Sequence, residues 1–484
     1  MQFIVRFFPE IVIKSRPVRK HFVKRLRNNL RTVLKTVDSS VVVASDWDRI
    51  IVKSRVADEQ QRLRMIEVLS CTPGIAHFLD VMEYPFVDMP QAFEKTRELW
   101  GNRLAHKTFA VRCKRLGKHD FNSHQMEQYI GGELDRHCDS AGVNLRNPDV
   151  TVRIELKNER LYIINRRYEG LGGFPLGSLE SAVSLISGGF DSTVSTYMTM
   201  KRGMRTHFCF FNLGGRDHEV GVKEIALYLW MKYGASSRVK FVSVPFEDVV
   251  AEILKNVDDS QMGVVLKRMM LRAGTEVAKN LRGQALVTGE AVAQVSSQTL
   301  TNLSVIDSVT ETLVLRPLIV SDKEDIIRIA REIGTEKFAA AMPEYCGVIS
   351  VNPTVKARPE KIAIEEGKFD FSVLDKALQD AVYTNIDKIA EEDLLIHDVE
   401  ILSIPVEGAV IIDVRHSSEE EINPLELSQI EIQKIPFYDL HSKFSELDTS
   451  KSYLLYCDRG VMSKLHAAYL VEQGYRNVKV YRPA

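Results

Sequence analysis

Leu185-Ile186-Ser187-Gly188-Gly189-Phe190-Asp191-Ser192 is the stretch on which the reading of the whole chain turns. The apolar run Val183 to Ile186 stops at two glycines, and Asp191 and Ser192 open a segment whose apolar residues Val194, Tyr197 and Met198 fall near helical spacing. The pattern predicts strand, tight loop, helix. Glycines let the backbone close around a ligand, and the free N–H groups of a helix start point at whatever sits there. An anion suits that place. No lysine follows the glycines, so this is not the loop that holds β- and γ-phosphates with a Lys.

Around this stretch the chain alternates strands and helices. After the Gly170 to Gly177 linker come strands at 183–186, 206–213, 239–244, 285–288 and 313–318, separated by helical segments; the last helix carries Glu324 three residues after Ser321, a capping pattern. Alternation of this kind implies a parallel sheet with ligands outside the carboxyl ends of its strands. Residues 210–215, Lys267-Arg268 and 288–298 fall at or beside such ends and fit one nucleotide pocket. Residues 355–400 read as helical and increasingly acidic.

The chain has 484 residues, enough for two to four domains of about 100 to 200 residues each. Its apolar content of 45% and charged content of 27% are ordinary for a globular protein. No apolar run reaches the roughly 18 residues of a membrane span, and the basic start lacks the apolar core of a signal peptide. No membrane contact and a cytoplasmic location are expected. Six cysteines, at 71, 113, 138, 209, 346 and 457, form no C-x-x-C pair, which argues against zinc ribbons and cysteine-ligated clusters, and no resident metal is expected. Net charge is −1, yet residues 1–36 carry ten Lys/Arg against one acid and residues 391–450 three against fifteen. The basic end invites nucleic acid.

Two further stretches carry chemistry. In Phe109 to Arg115, strand-like, and Val150 to Leu156, alternating, Arg112, Lys114, Arg115, Lys118 and Arg153 are candidate RNA phosphate contacts. Asn122 or Ser123 is placed to cap a helix carrying Met126, Tyr129, Ile130 and Leu134 on one face. Near the other end, Cys457 follows an apolar strand and precedes Gly460 and a helix start. Loop N–H groups, the helix dipole and Arg459 all favour an anion there, so its thiolate is expected to be more populated than that of a free cysteine. Cys346, in Pro343-Glu-Tyr-Cys-Gly347, reads by position alone as a structural thiol.

S-G-G-x-D-S resembles the pyrophosphate loop of the ATP-pyrophosphatase superfamily, whose members adenylate a substrate. The run at 109–123 resembles the THUMP domain of RNA-modifying enzymes, and the Cys457 loop with Ile411-Ile-Asp-Val-Arg415 resembles a rhodanese active loop, trimmed to about 80 residues. Basic start, THUMP, adenylating loop and terminal rhodanese in this order resemble the long form of the bacterial tRNA 4-thiouridine synthetase family.

That resemblance implies a multidomain α/β and α+β fold: a ferredoxin-like domain at 1–60, a THUMP domain at 61–167, a central doubly wound parallel-sheet PP-loop ATP pyrophosphatase domain at 168–395, and a rhodanese-like α/β domain at 405–484. It implies ATP and Mg²⁺ as cofactors. Contact with ATP is implied for Leu185, Ile186, Ser187, Gly188, Gly189, Asp191, Ser192, Lys267, Gly289 and Gln298, with Asp191 directing Mg²⁺ or the phosphates and Lys323 supporting adenylation. Cys457 would carry a persulfide and Cys346 would close a disulfide with it after transfer. The implied product is 4-thiouridine at tRNA position 8, with a side role as sulfur donor for the thiamine thiazole. The implied partners are tRNA, a cysteine desulfurase and a thiazole-pathway sulfur carrier protein, with a homodimer left open. Amide-forming and lysidine-type ligases share the loop but need neither thiol, and 2-thiocytidine enzymes need paired cysteines. A tRNA-binding sulfur relay without adenylation activity is the alternative from another class.

Overall fold

A computed structural model describes residues 1–55, 58–342, 352–391, 399–406, 408–427, 430–458 and 460–483. The chain divides into two units, Met1–Pro175 and Leu176–Ala484.

In the first unit, β1 (Gln2–Phe7), β2 (Val42–Ser45), β3 (Ile50–Lys53), β4 (Ile75–Pro85), β5 (Phe109–Leu116), β6 (Val150–Lys157) and β7 (Arg160–Gly172) make one sheet in the order β2-β3-β1-β4-β7-β6-β5. β5 and β6 run parallel, with Arg112 beside Arg153. The Arg16–Leu34 helix buries Phe22, Leu26, Leu30 and Leu34 and leaves Lys20, Lys24 and Arg31 exposed. Each such buried side chain contributes about 1.5–3 kcal/mol, so the apolar stripe fixes which face the basic residues present. The Ser123–His137 helix starts as its sequence predicts: Asn122 accepts from the Gln125 N–H, and Gln125 accepts from the Asn122 N–H. Met126, Ile130 and Leu134 then pack on Val111, Val152 and Ile154.

The second unit holds two sheets. β8 (Ser181–Leu185), β9 (Arg205–Asn212), β10 (Lys240–Pro245), β11 (Ala285–Val287), β12 (Leu313–Leu315) and β13 (Val382–Asn385) lie in the order β12-β11-β8-β9-β10-β13. The first five are parallel; β13 is antiparallel to β10, so part of the stretch read as helical is an edge strand. The chain winds from β8 through β9 to β10, then returns to the other side of β8 for β11 and β12. The carboxyl end of β8 is therefore the switch point of the sheet, where two neighbouring connections diverge and leave a crevice. The core beneath is built from Val183, Val242, Val244, Val265, Met269 and Leu286.

β14 (Ile401–Leu402), β15 (Val410–Asp413), β16 (Ile432–Lys434), β17 (Tyr453–Tyr456) and β18 (Val478–Tyr481) form an all-parallel sheet in the order β14-β18-β17-β15-β16. Its Val461–Glu472 helix packs on the Gly215–Leu229 helix of the six-stranded part. Tyr469 donates to Asp217 at 2.8 Å, Arg216 to Glu472 at 3.0 Å, and His466 Nε2 lies 3.2 Å from Glu224. Phe437 adds apolar contact, with ring centroids 5.4 Å from Phe338 and 6.3 Å from Tyr228. Among the described residues no helix is long and apolar enough to cross a membrane.

Candidate functional site

The loop at the end of β8 is shaped by two glycines and a serine. Ile186 N–H still donates to the Cys209 carbonyl at 2.9 Å, so the chain leaves the sheet at Ser187, just past Leu185 and Ile186. Gly188 takes φ +86, where a side chain is strained, and a Cβ there would lie 2.8 Å from Met342 Cε. Gly189 is the N-cap of the Phe190–Lys201 helix and makes no side-chain cap, leaving the first N–H groups directed at the crevice. Ser192 braces the turn: its Oγ accepts from Ser187 N–H and donates to the Gly189 carbonyl, both at 3.2 Å. From the adjacent Gly215–Leu229 helix, His218 Nε2 lies 3.1 Å from the Ser187 carbonyl. Burial holds that imidazole below its ordinary range although the Ser187 contact pulls the other way, so it is the neutral ring that donates.

Two further predicted residues, Lys323 and Gly289, meet Asp191 and Ser192. Lys323 Nζ lies 3.0 and 3.1 Å from the Asp191 carboxylate oxygens and 5.5 Å from the Phe190 ring centroid. Gly289 packs on the same peptide: a Cβ there would come within 2.5 Å of Asp191 C and 2.6 Å of Ser192 N. The Lys323–Ile333 helix starts at Asp322, one residue after the expected cap, without a side-chain capping bond, and so presents Lys323 in its first turn.

Lys267 stands across a different carboxylate. Its Nζ is 2.8 Å from Glu290 Oε1, and Glu290 Oε2 accepts from Arg316 Nε at 2.8 Å. Burial pushes the Glu290 carboxyl up, but Lys267 and Arg316 together hold it below the ordinary range. Arg268, paired with Lys267 in the sequence reading, points elsewhere: its guanidinium forks onto Glu366 at 2.6 and 2.8 Å and donates to the Val305 carbonyl, a buried structural role. Gln298 lies in the loop after β11, 9% exposed, and its Oε1 has no hydrogen-bond partner among the described residues. A buried acceptor of that kind and a glycine cradle a side chain would fill are features a nucleotide can satisfy. Gln294, Glu290, Arg316 and His218 were missed by sequence reasoning. Gln294 donates to Asp191 at 2.9 Å, and its one sequence signal is its place between Gly289 and Gln298.

On β5 and β6, Arg112, Lys114 and Arg153 share the exposed face, and Lys118 is exposed beyond it. Arg112 also donates to the Leu145 carbonyl at 2.7 Å, which fixes its direction. Arg115 turns away from these, donating to the Gly117 carbonyl at 3.0 Å and lying 3.1 Å from His119 Nδ1.

Cys457 follows β17 and is 7% exposed. Its Sγ accepts from Ser463 N–H at 3.3 Å and lies 3.4 Å from Ser463 Oγ. Gly460, at φ +69, caps the Val461–Glu472 helix. The expectation of a more populated thiolate is corrected here: burial pushes the thiol up, outweighing the Ser463 contacts that pull it down. Beneath the loop Arg415 is buried between Asp413, at 2.5 Å, and Asp458, at 3.0 Å, which ties β15 to the residue after Cys457. Cys346 and Arg459 lie outside the described residues. Cys113 and Cys209 are thiols that burial pushes up, to about 12 at Cys113.

Comparison with known proteins places this geometry. The model of "Thiamine biosynthesis protein (ThiI)" matches residues 177–371, the THUMP domain 87–165 and the ThiI ferredoxin-like domain 2–78. Curated tRNA sulfurtransferases are similar over the whole of both chains: 56% identical in Pseudomonas aeruginosa over 488 residues, and 55% in Azotobacter vinelandii over 484. Among solved structures, a 4-thiouridine synthetase in complex with RNA and with bound ATP is 25% identical with a TM-score of 0.71, covering 79% of this chain and 99% of that one. A protein from Pyrococcus horikoshii, 18% identical with a TM-score of 0.54 over 69% of this chain and 100% of that one, shares the fold. By full-length identity above half to these enzymes, the chain belongs to the tRNA sulfurtransferase (ThiI) family.

Proposed function

We propose that this enzyme makes 4-thiouridine at position 8 of tRNA in two half-reactions, adenylation at the Ser187–Ser192 loop and sulfur transfer from Cys457. The observation that carries the reading is the glycine loop opening a helix at the sheet's switch point, with Lys323 on Asp191 beside it. The related 4-thiouridine synthetase bound to RNA and ATP supports it.

A uridine carbonyl oxygen is a poor leaving group. O4 attacks the α-phosphorus of ATP, pyrophosphate departs, and O4 becomes part of an AMP ester. The helix start at Gly189 and the N–H groups of the loop would take the pyrophosphate charge, and Lys323 and Lys267 supply the cations that offset it as it develops. Mg²⁺ bound with the nucleotide would neutralise phosphate charge, with Asp191 as the loop's carboxylate toward it; Mg²⁺ commonly takes one or two protein carboxylates plus phosphates. The terminal sulfur of a Cys457 persulfide then attacks C4 and AMP leaves. Thiolate of Cys346 attacks Cys457 Sγ in the resulting C4–S–S link, which frees the thiouridine sulfur and closes a Cys346–Cys457 disulfide. Alternatively Cys346 attacks first and releases sulfide as the nucleophile.

In this reading residues 405–484 form a rhodanese-like domain, a cysteine desulfurase charges Cys457, and a thiazole-pathway sulfur carrier is a second acceptor. Cys457 is 7% exposed, so charging by a desulfurase requires its loop to open first.

The test separates the halves. Cys457→Ala should abolish sulfur transfer while tRNA-dependent pyrophosphate release continues, and Asp191→Ala should stop pyrophosphate release while Cys457 still accepts persulfide. Loss of both activities in both variants would refute the division. A sulfur relay without adenylation would release no pyrophosphate at all.

A further inference from the structure

We infer that Glu290 is a positioning residue for ATP, holding the Lys267 ammonium at the mouth of the nucleotide pocket; this rests on the reading of the Ser187–Ser192 loop as an ATP site. Glu290 is 8% exposed and follows Gly289, whose Cα packs on the Asp191–Ser192 peptide. Its carboxylate is therefore one residue from the cradle itself.

The two oxygens of Glu290 are used differently. Oε2 is locked: it accepts from Arg316 Nε at 2.8 Å and from Thr288 Oγ1 at 3.1 Å. Arg316 is held in turn by Asp307, at 2.9 and 2.6 Å through its two terminal nitrogens. Asp307, Arg316, Thr288 and Glu290 thus form a frame drawn from the Leu300–Asp307 helix, the residue after β12 and the loop after β11. Oε1 faces Lys267 alone in this set, at 2.8 Å. The Lys267 side chain comes from the Met262–Leu281 helix and remains 19% exposed, so its ammonium keeps an open side.

A flexible lysine has three rotatable donors and much rotamer freedom. Spending one donor on a fixed, buried carboxylate leaves the other two aimed, which is how a lysine is made ready for a phosphate without waiting for one. The frame also sets the charge: Glu290 offsets one of its two cations and Asp307 the other, so the pocket gains a favourable cation only where Lys267 turns toward a ligand. A glutamine at 290 keeps the shape, but its carbonyl oxygen can take only one of the two carboxylate-oxygen positions, and its NH2 group, a donor, then faces the other cation. Arg316, fixed by Asp307, wins, and Lys267 loses its anchor.

The experiment is a double-mutant cycle on equilibrium ATP binding by titration calorimetry, with the full chain, Mg²⁺ and ATP, for wild type, Glu290→Gln, Lys267→Ala and the double variant. Glu290→Gln is expected to weaken ATP about tenfold in the wild-type background and less than twofold once Lys267 is gone, because a positioning residue has nothing left to position. In pyrophosphate release, the same substitution should raise KM for ATP about tenfold with kcat within about threefold. Glu290→Asp, which retains the charge, should recover part of the affinity, and melting curves identify a variant that does not fold; Thr288→Val then serves in its place, with the same coupling to Lys267 and a smaller effect. An equal loss from Glu290→Gln with and without Lys267 overturns the inference while leaving the ATP site intact. Absence of ATP binding by the wild-type chain overturns the inference and the site together, whereas ATP binding without pyrophosphate release overturns only the adenylation reading.

Discussion

Adding one methyl group at Gly289 tests how tightly the nucleotide loop is built. The Cβ of alanine would stand 2.5 Å from Asp191 C, 2.6 Å from Ser192 N and 2.8 Å from Asp191 O, against an ordinary contact of 3.4 Å or more. The shortfall is about 0.6 to 0.9 Å, and every atom met is backbone, so no side chain can rotate away. Either the loop after β11 or the start of the Phe190–Lys201 helix must move by that amount. Overpacking of this kind costs about 1–3 kcal/mol of stability. The functional loss should be larger, because a displacement near 1 Å in a positioning group costs on the order of 100-fold in rate. Gly289→Ala is therefore expected to lower kcat/KM for ATP in tRNA-dependent pyrophosphate release about 100-fold, with a melting temperature lowered by a few degrees. Gly132, where an added Cβ meets nothing within 4 Å, is the control, and Gly132→Ala should leave pyrophosphate release unchanged. Wild-type kcat/KM in Gly289→Ala would show that the close approach has no bearing on the site.

Docking of the terminal sheet should depend on pH through Glu224 and His466, which burial pushes up to about 8 and down to about 3. Undocked, they return toward ordinary values of about 4.5 and 6.5, so between those pH values both states hold one proton and docking is flat. From pH 6.5 to 8 the docked state still holds a proton that the undocked state has lost, and docking should weaken by about 2 kcal/mol, read as a change in energy transfer between dyes on the two parts; Glu224→Gln should abolish that loss. Arg268→Ala should cost about 1.5–3 kcal/mol in denaturant unfolding, because Glu366 then keeps only Arg272, at 3.2 Å, with ATP affinity of the folded fraction little changed. Lys114→Ala should weaken tRNA binding evenly across sequences and reduce the slope of log affinity against log salt by about 1.

What could be read in advance was local. Ser187 to Ser192 announces itself because glycines, a strand end and a helix start are neighbours in sequence, and a cap at Asn122 or Ser123 is legible for the same reason, although the reciprocal bond to Gln125 shows only in the structure. The pairing of Asp191 with Lys323, 132 residues apart, follows only from how the sheet returns past β8; the resemblance implied a role for each but not the contact between them. Lys267 and Arg268 were read together, yet successive helix residues are turned by about 100°, so one faces Glu290 and the other Glu366. Val382–Asn385 escaped because four residues beside two helices carry too short a pattern to show a strand, and β10 supplies the partner. At Cys457 the loop donors were visible but the burial was not: the helix start lowers a thiol pKa, and a site 7% exposed raises it by more.

In the proposed reaction an activated tRNA uridine receives sulfur carried by Cys457. The decisive assay incubates purified enzyme with unmodified tRNA, ATP, Mg²⁺, cysteine and a cysteine desulfurase and reads the digested tRNA by mass spectrometry. 4-Thiouridine at position 8 is expected with the wild-type chain and none with Cys457→Ala. Absence of the product with active partners, or its formation at wild-type rate by Cys457→Ala, would contradict that reaction.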